Sequence, residues 1–327
     1  MNKILSALLA SLLLLGCGSA TTVQEQPSEE PVVTEQTQQE MPDVSTKVDV
    51  EAFKNFKVLA PGGAPALGLL PLFEAGNPID VVDGPDNLQA ALTGNSDYDL
   101  IVAPTNLGVK LASLGKSDYR LLDVLTWGNL YLVGSSIEDL TNPDVKVAAF
   151  GEQAVTGLVY SKLYPDLKDR TVWYPSVAEA QAALLSKEVG IAMIAEPAAT
   201  ATIAKGKEMN LDLKVIESLQ DAWGDGGYPQ AGLFVKQDFY KENKAAVDQL
   251  VTYITEFVDE ANVDSSVVTS KIEAVGAEKL SVPNAQIVTK TWNNLNLMVS
   301  KASDVKEAIA SFMGLFGVDS IDGTIIE

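Results

Sequence analysis

The sequence predicts an α/β fold, and three observations carry that expectation. Short apolar runs alternate with helix-period segments from Phe53 to Val235. Four of those runs end in Gly, Pro or capping residues that lead straight into a helix. The chain then closes on amphipathic helices, with no strand-like run evident after Val235. Alternation of this kind buries a sheet beneath helices on both faces.

The predicted strands are "FKVLA" (56–60), "IDVVD" (79–83), "YDLIVA" (98–103), "VKVAA" (145–149), "VGIAMI" (189–194), "LDLKVI" (211–216) and "AGLFV" (231–235). Helices are expected around Leu88, Ala91 and Leu92, around Val155, Leu158, Val159 and Leu163, and from Ser176, where "SVAE" forms a capping box with Glu179. Further on, Val247, Leu250, Val251, Ile254, Phe257 and Val258 share one face of a long helix, followed by helices over Val288–Leu297 and Val305–Phe316.

The N-terminus carries Lys3, an apolar run from Ile4 to Leu15, and Gly16-Cys17, the outline of a secretory signal over residues 1–16. The run is short for a membrane span. "LLGC" resembles a bacterial lipobox, which predicts cleavage before Cys17 and lipid on its sulfur. Residues 17–47 are rich in Gln, Glu, Thr and Pro and poor in large apolar groups, so they read as a disordered tether. A flexible chain of that length reaches about 30 Å.

Cys17 is the only cysteine, so if it carries lipid no thiol remains for disulfides or cysteine chemistry, and the absence of histidine from the 327 residues removes the commonest general base and metal ligand. Stability must come from an apolar core, which a 46% hydrophobic content supplies. The net charge of −21 argues against nucleic-acid partners and acidic lipid headgroups.

The four junctions predict a ligand site, because open α/β sheets bind beyond the carboxyl ends of their strands. In "VLAPGGAPAL", Gly62 and Gly63 permit close backbone approach, and Pro65 suits the first helical turn. Pro71 lies farther along the same helix and predicts a kink or an early end. "IVAPTNLG" offers Thr105 as an N-cap, "VAAFGEQAVTG" turns at Gly151 into a helix starting near Gln153 or Ala154, and "IAEPAAT" starts a helix at Pro197.

At these residues the sequence resembles the substrate-binding proteins of bacterial ABC importers with the type II periplasmic-binding fold, in the branch for nitrate, taurine, sulfonates and thiamine precursors. The resemblance rests on "LAPGGAPALGLLPLF", "LQAALTGNSDYDLIVAPTNLG" and "AEPAATATIA" and covers about residues 53–320. It implies two α/β lobes, residues 48–128 with 232–327 and residues 129–231, joined by two crossing hinge segments near 126–134 and 226–235. Carried over by position, the ligand-binding residues are Gly62, Gly63, Ala64, Pro65, Pro104, Thr105, Asn106, Trp127, Asn129, Gly151, Gln153, Ala154, Thr156, Glu196, Tyr228 and Gln230. No cofactor or metal is implied. The implied partners are a small-molecule ligand and a membrane permease, for a monomer lipid-anchored on the extracytoplasmic face.

The only arginines, Arg120 and Arg170, lie away from the implied ligand loops. Trp127 and Tyr228, with Trp223 as a weaker candidate, flank the implied cleft and favour a planar heterocycle, such as a thiamine-precursor pyrimidine or a flavin. Sulfonate, taurine or nitrate is the alternative ligand group. A tethered sensor or an enzyme on the same fold is the alternative of another class, although no nucleophile-elbow signature is visible.

Overall fold

The computed structural model describes residues 48–94 and 96–327. The predicted signal segment, Cys17 and the tether lie outside the described residues. No helix among the described residues is long and apolar enough to cross a membrane.

Among the described residues, eleven strands form two sheets. They are β1 (Val58–Pro61), β2 (Ile79–Val82), β3 (Leu100–Pro104), β4 (Tyr119–Thr126), β5 (Leu130–Gly134), β6 (Val147–Phe150), β7 (Thr171–Tyr174), β8 (Ile191–Ala195), β9 (Lys214–Ser218), β10 (Ala231–Lys236) and β11 (Leu297–Lys301). One sheet has the order β2-β1-β3-β10-β4-β11 and the other β7-β6-β8-β5-β9. The two share a plan. In each, a first strand lies between two parallel neighbours, as β1 does between β2 and β3 and β6 between β7 and β8. An antiparallel strand then follows: β10 between β3 and β4, β5 between β8 and β9. That antiparallel strand is in both cases the segment that has just come from the other sheet.

The elements form where apolar spacing places them. Val58, Leu59 and Ala60 are all buried, as expected for a strand covered on both faces. The helix Gln237–Val263 buries Val247, Leu250, Ile254, Phe257, Val258 and Ala261 on one side and breaks helical geometry at Asn243, whose side chain donates to the Phe239 carbonyl at 3.0 Å. Ser176 caps the helix Val177–Leu185 through the Glu179 amide. Pro71 ends the first helix early: Ala64–Gly68 stops, and Leu70–Ala75 restarts with the proline in its first turn, where no N–H is needed.

β5 falls within the expected crossing at 126–134, and three further strands fall outside the sequence expectation. β4 is interrupted in sequence by Arg120 and Asp123, which hides its apolar run. β7 is a four-residue, half-buried edge strand. β11 corrects the expectation of no strand after Val235: Asn296 adopts a left-handed conformation (φ 51°) that ends the preceding helical turn, and the chain then pairs with β4. Thr105 is not a cap. It is the first residue of the helix Thr105–Ser113, and its hydroxyl is buried without a partner.

The two crossings pack back to back. The Tyr228 amide donates to the Trp127 carbonyl at 3.3 Å and the Gln230 amide to the Thr126 carbonyl at 2.9 Å. Gly227 makes this approach feasible. Its φ is +113°, and a Cβ there would lie 2.0 Å from the Trp127 carbonyl oxygen. A continuous apolar core runs through the crossings, joining Leu121 and Phe312 to Trp127, Leu130 and Tyr228 and on to Val147 and Val159.

Two stability predictions follow from this packing. Gly227→Ala adds a steric clash to an unfavourable backbone conformation and should cost about 3 kcal/mol or more. Gly76→Ala, at φ +87° with open space around it, should cost only about 1–2 kcal/mol. Urea unfolding midpoints of the two variants measure the difference.

Asp123 on β4 is buried, and desolvation pushes its carboxyl up to about 7 against the pull of Lys301, with Asp248 and Asp304 adding to the rise. A folded-state value above the unfolded one means the folded protein holds the proton more tightly. Its stabilising effect is therefore complete below about pH 4 and is lost as pH rises through about 7. Wild type should lose up to about 4 kcal/mol across that window from this group. Asp123→Asn should flatten that part of the profile, measured by denaturant unfolding at a series of pH values.

Candidate functional site

The carboxyl ends of β1, β3, β6 and β8 converge with the starts of β5 and β10 on a cleft of about 570 Å³. Each wall is a strand-to-turn-to-helix junction, the arrangement in which chain direction changes at a sheet end and leaves a crevice. Of the residues expected there, all but Thr105, Trp127 and Tyr228 line it. Gly62, Gly63, Ala64, Pro65, Pro104 and Asn106 come from the first sheet. Asn129, Gly151, Gln153, Ala154, Thr156 and Glu196 come from the second, and Gln230 stands on the return crossing.

Sequence reasoning missed Gly84, Pro85 and Leu88, which follow β2, and the apolar wall of Leu107, Leu130, Phe150 and Val155. "DGPDNL" after β2 carries the same Gly-Pro grammar as the other junctions and could have been read with them. The apolar wall residues carry no such signal, since in sequence they are ordinary strand and helix positions.

The aromatic residues expected at the cleft sit elsewhere. Trp127 is 3% exposed; its indole N–H donates to the Met298 carbonyl at 3.0 Å, and its backbone N–H donates to Asn296. Tyr228 is fully buried, stacked on Phe312 with ring centroids 5.9 Å apart and beside Trp223 at 5.5 Å. Burial raises the Tyr228 phenol pKa well above its usual range. Both residues support the crossings from behind. The aromatic on the cleft wall is Phe150, which is half-buried.

Some of the backbone amides at the junctions are engaged within the protein. Gly63 N–H donates to Leu280 O (2.8 Å), Thr105 N–H to Gln230 O (3.0 Å), and the Ala154 and Gly157 amides both donate to Gly151 O (2.8 and 3.1 Å). Gly62 N–H reaches Val82 O at 3.4 Å. The expectation that the Gly62-Gly63 turn points its amides at a ligand is therefore corrected. A turn that packs against the loop at Leu280 satisfies its donors there, as burial requires.

Glu196 is 3% exposed and turns back on its own helix. Its carboxylate accepts from the Thr200 amide at 3.0 Å and the Thr200 hydroxyl at 2.8 Å, so negative charge sits at the start of the helix Ala198–Glu208. Asn129, 4% exposed, donates through Nδ2 to the Glu196 carbonyl at 3.1 Å, and Gln230 donates through Nε2 to Asn129 Oδ1 at 3.1 Å. Thr156 donates its hydroxyl proton to the Phe150 carbonyl at 3.1 Å. Among the described residues, no Lys or Arg lines the cleft.

A second concavity, of about 560 Å³, lies at the far end of the five-stranded sheet, against Asp144, Lys146, Lys187, Glu188 and Asp212. It faces the amino ends of β6 and β8, away from the junctions. Among the described residues, no three His, Cys, Asp or Glu side chains are grouped to hold a metal ion.

No protein-family model matches the chain, and no curated protein matches it. Solved structures do. An ABC transporter protein from Parabacteroides distasonis superposes with a TM-score of 0.68 at 19% identity, over 84% of this chain and 99% of that one. The periplasmic aliphatic sulphonate binding protein of Escherichia coli gives 0.61 at 13% identity, over 84% and 92%. The ligand-binding component of an ABC-type import system from Staphylococcus aureus, solved with zinc bound, gives 0.59 at 14% identity, over 83% and 96%. The likeness is one of architecture: two α/β lobes, two crossing segments and a cleft at the strand ends place this chain in the fold of the periplasmic binding proteins of ABC importers.

Proposed function

We propose that the protein is the substrate-binding component of an ABC importer, capturing a small nutrient between two lobes and presenting it to a membrane permease. The observation that carries this reading is the cleft itself, built from the junctions of both sheets and bordered by both crossings. A site assembled from two bodies joined by short segments suits hinge closure around a ligand. The lobes on this reading are residues 48–128 with 232–327, and 129–231. Lipid on Cys17 holds the protein at the extracytoplasmic face, and residues 17–47 give it reach.

The protein acts as a binder, with the chemistry left to its partners. A planar heterocycle is the first-choice ligand class. The support for it moves from Trp127 and Tyr228 to Phe150, Leu107 and the proline-rich wall, which offer flat apolar surface to a ring. Sulfonate, taurine or nitrate is the second reading, favoured by the fold match to a sulphonate binder. The absence of Lys and Arg among the described residues that line the cleft ranks it lower.

Titrating purified protein with nucleobases, aminopyrimidines, riboflavin, taurine, methanesulfonate and nitrate tests the reading. A heterocycle at about 100 times its Kd should stabilise the fold by about 2.7 kcal/mol, raising Tm by a few degrees. It should also contract the scattering envelope and be recovered unchanged. Chemical conversion of the bound compound, or binding with no change in scattering, would remove the hinged-binder reading. Fatty-acid labelling should mark wild type and miss Cys17→Ala, and label on that variant would remove the lipid anchor.

A further inference from the structure

We infer that the segment Asn294–Met298 is a clasp that holds the two lobes at a set angle, and that Tyr131 and Asn296 are the residues through which it acts. The inference rests on the lobe division proposed above and adds a restraint that neither crossing supplies.

The clasp belongs to the first lobe and is fixed there. β11 pairs with β4, and Asn262, on the long helix Gln237–Val263, donates through Nδ2 to the Leu297 carbonyl at 3.0 Å. The same side chain accepts from the buried Trp292 indole at 2.9 Å, and Trp292, Leu295 and Leu297 belong to the first lobe's core.

From this anchorage the clasp reaches three stretches of chain. On the outgoing crossing, Trp127 donates its backbone N–H to the Asn296 carbonyl and its indole N–H to the Met298 carbonyl, both at 3.0 Å. Asn296 Nδ2 donates in return to the Trp127 carbonyl at 2.7 Å and, more weakly, to the Gly226 carbonyl on the returning chain at 3.4 Å. Both partners are carbonyls, which only accept, so the group that meets them is the amide nitrogen. On β5 of the second lobe, the Tyr131 hydroxyl donates to the Asn294 carbonyl at 2.8 Å. The helix Ala285–Thr291, just ahead of the clasp, also lies against the helix Ala198–Glu208 of the second lobe.

The returning chain has little stiffness of its own. Gly224, Asp225, Gly226 and Gly227 follow one another with positive φ of 86°, 53°, 81° and 113°. Three glycines in this turn leave the backbone free to rotate. The outgoing crossing carries a left-handed glycine too, Gly128 at φ 90°. Backbone of this kind permits a range of lobe angles, whereas a hydrogen bond holds only over a narrow range of distance. The Tyr131–Asn294 and Asn296–Gly226 bonds run from one lobe to the other, so they favour the angle at which both are made. A ligand that draws the lobes to another angle has to outweigh them through its differential affinity.

Distance measurements between spin labels test this on the full chain carrying Cys17→Ala, with no ligand added. Gln89→Cys on the helix Pro85–Thr93 and Ala182→Cys on the helix Val177–Leu185, both exposed, place one label on each lobe. Tyr131→Phe removes one oxygen, and Asn296→Gly removes the side chain while keeping a residue that accepts φ 51°. Each should raise the population of other lobe distances by about fivefold for a bond of ordinary strength. In Asn296→Gly the amides of Trp127 and of 226–228 should exchange with solvent faster by a similar factor. Tyr160→Phe, which loses a 2.8 Å bond to Thr171 within the second lobe, should leave the distribution as in wild type. Unchanged distributions in both Tyr131→Phe and Asn296→Gly overturn the clasp, and so does equal broadening by Tyr160→Phe. Ligand-driven closure in a protein whose clasp variants match wild type overturns this inference alone. One fixed distance in every variant and with every compound of the panel above overturns the hinged-binder reading as well.

Discussion

Two backbone hydrogen bonds between the crossing segments, Tyr228 to Trp127 and Gln230 to Thr126, hold the constraint on which the rest of the molecule depends. They bring the outgoing and returning chains side by side, and Gly227 is what lets them approach so closely. From that pairing the returning chain enters the first sheet as β10 between β3 and β4, and the outgoing chain enters the second as β5 between β8 and β9. Each sheet is therefore completed by a strand delivered from the other. The cleft is the space left where the remaining strand ends face one another across this junction.

Much of this was legible in the sequence because it is local. Alternating apolar runs gave the α/β class, and Gly, Pro and small residues after each run marked turns at strand ends. Gly62–Pro65, Asn106, Gly151, Gln153, Ala154, Thr156 and Glu196, carried over by position at those junctions, line the cleft. What was not legible is long-range. Trp127 looks like a cleft residue because it stands at a crossing, yet the carbonyls of Asn296 and Met298, some 170 residues downstream, capture its two N–H groups. Gly63 has the chemistry of an anion-binding turn, but Leu280 takes its amide. β11 escaped notice because Asn296 reverses the chain in one residue at a point where apolar spacing still permits a helix.

Charge tells a consistent story at two scales. The whole chain carries −21, and Glu196 lies at a cleft that no Lys or Arg lines among the described residues. Glu196 is tolerated there because two hydrogen bonds from Thr200 and the positive end of the helix Ala198–Glu208 receive its charge. Asp123 lacks such partners among its described hydrogen bonds, and its burial is expressed instead as a strong hold on its proton. Two buried acids of the same fold thus meet desolvation differently: Glu196 is hydrogen-bonded, and Asp123 holds its proton more tightly.

The strand order also sets a schedule for the chain as it is made. β3 and β4 are complete by Thr126, yet the strand that lies between them is not synthesised until Ala231–Lys236, more than a hundred residues later. Until then the first sheet has a gap at its centre, and no stable early domain forms from its strands alone. Pairings that span so much sequence assemble slowly, after the intervening loop has been closed. Such a chain stays open through most of its synthesis, a state in which it can be threaded or held by other proteins before it folds.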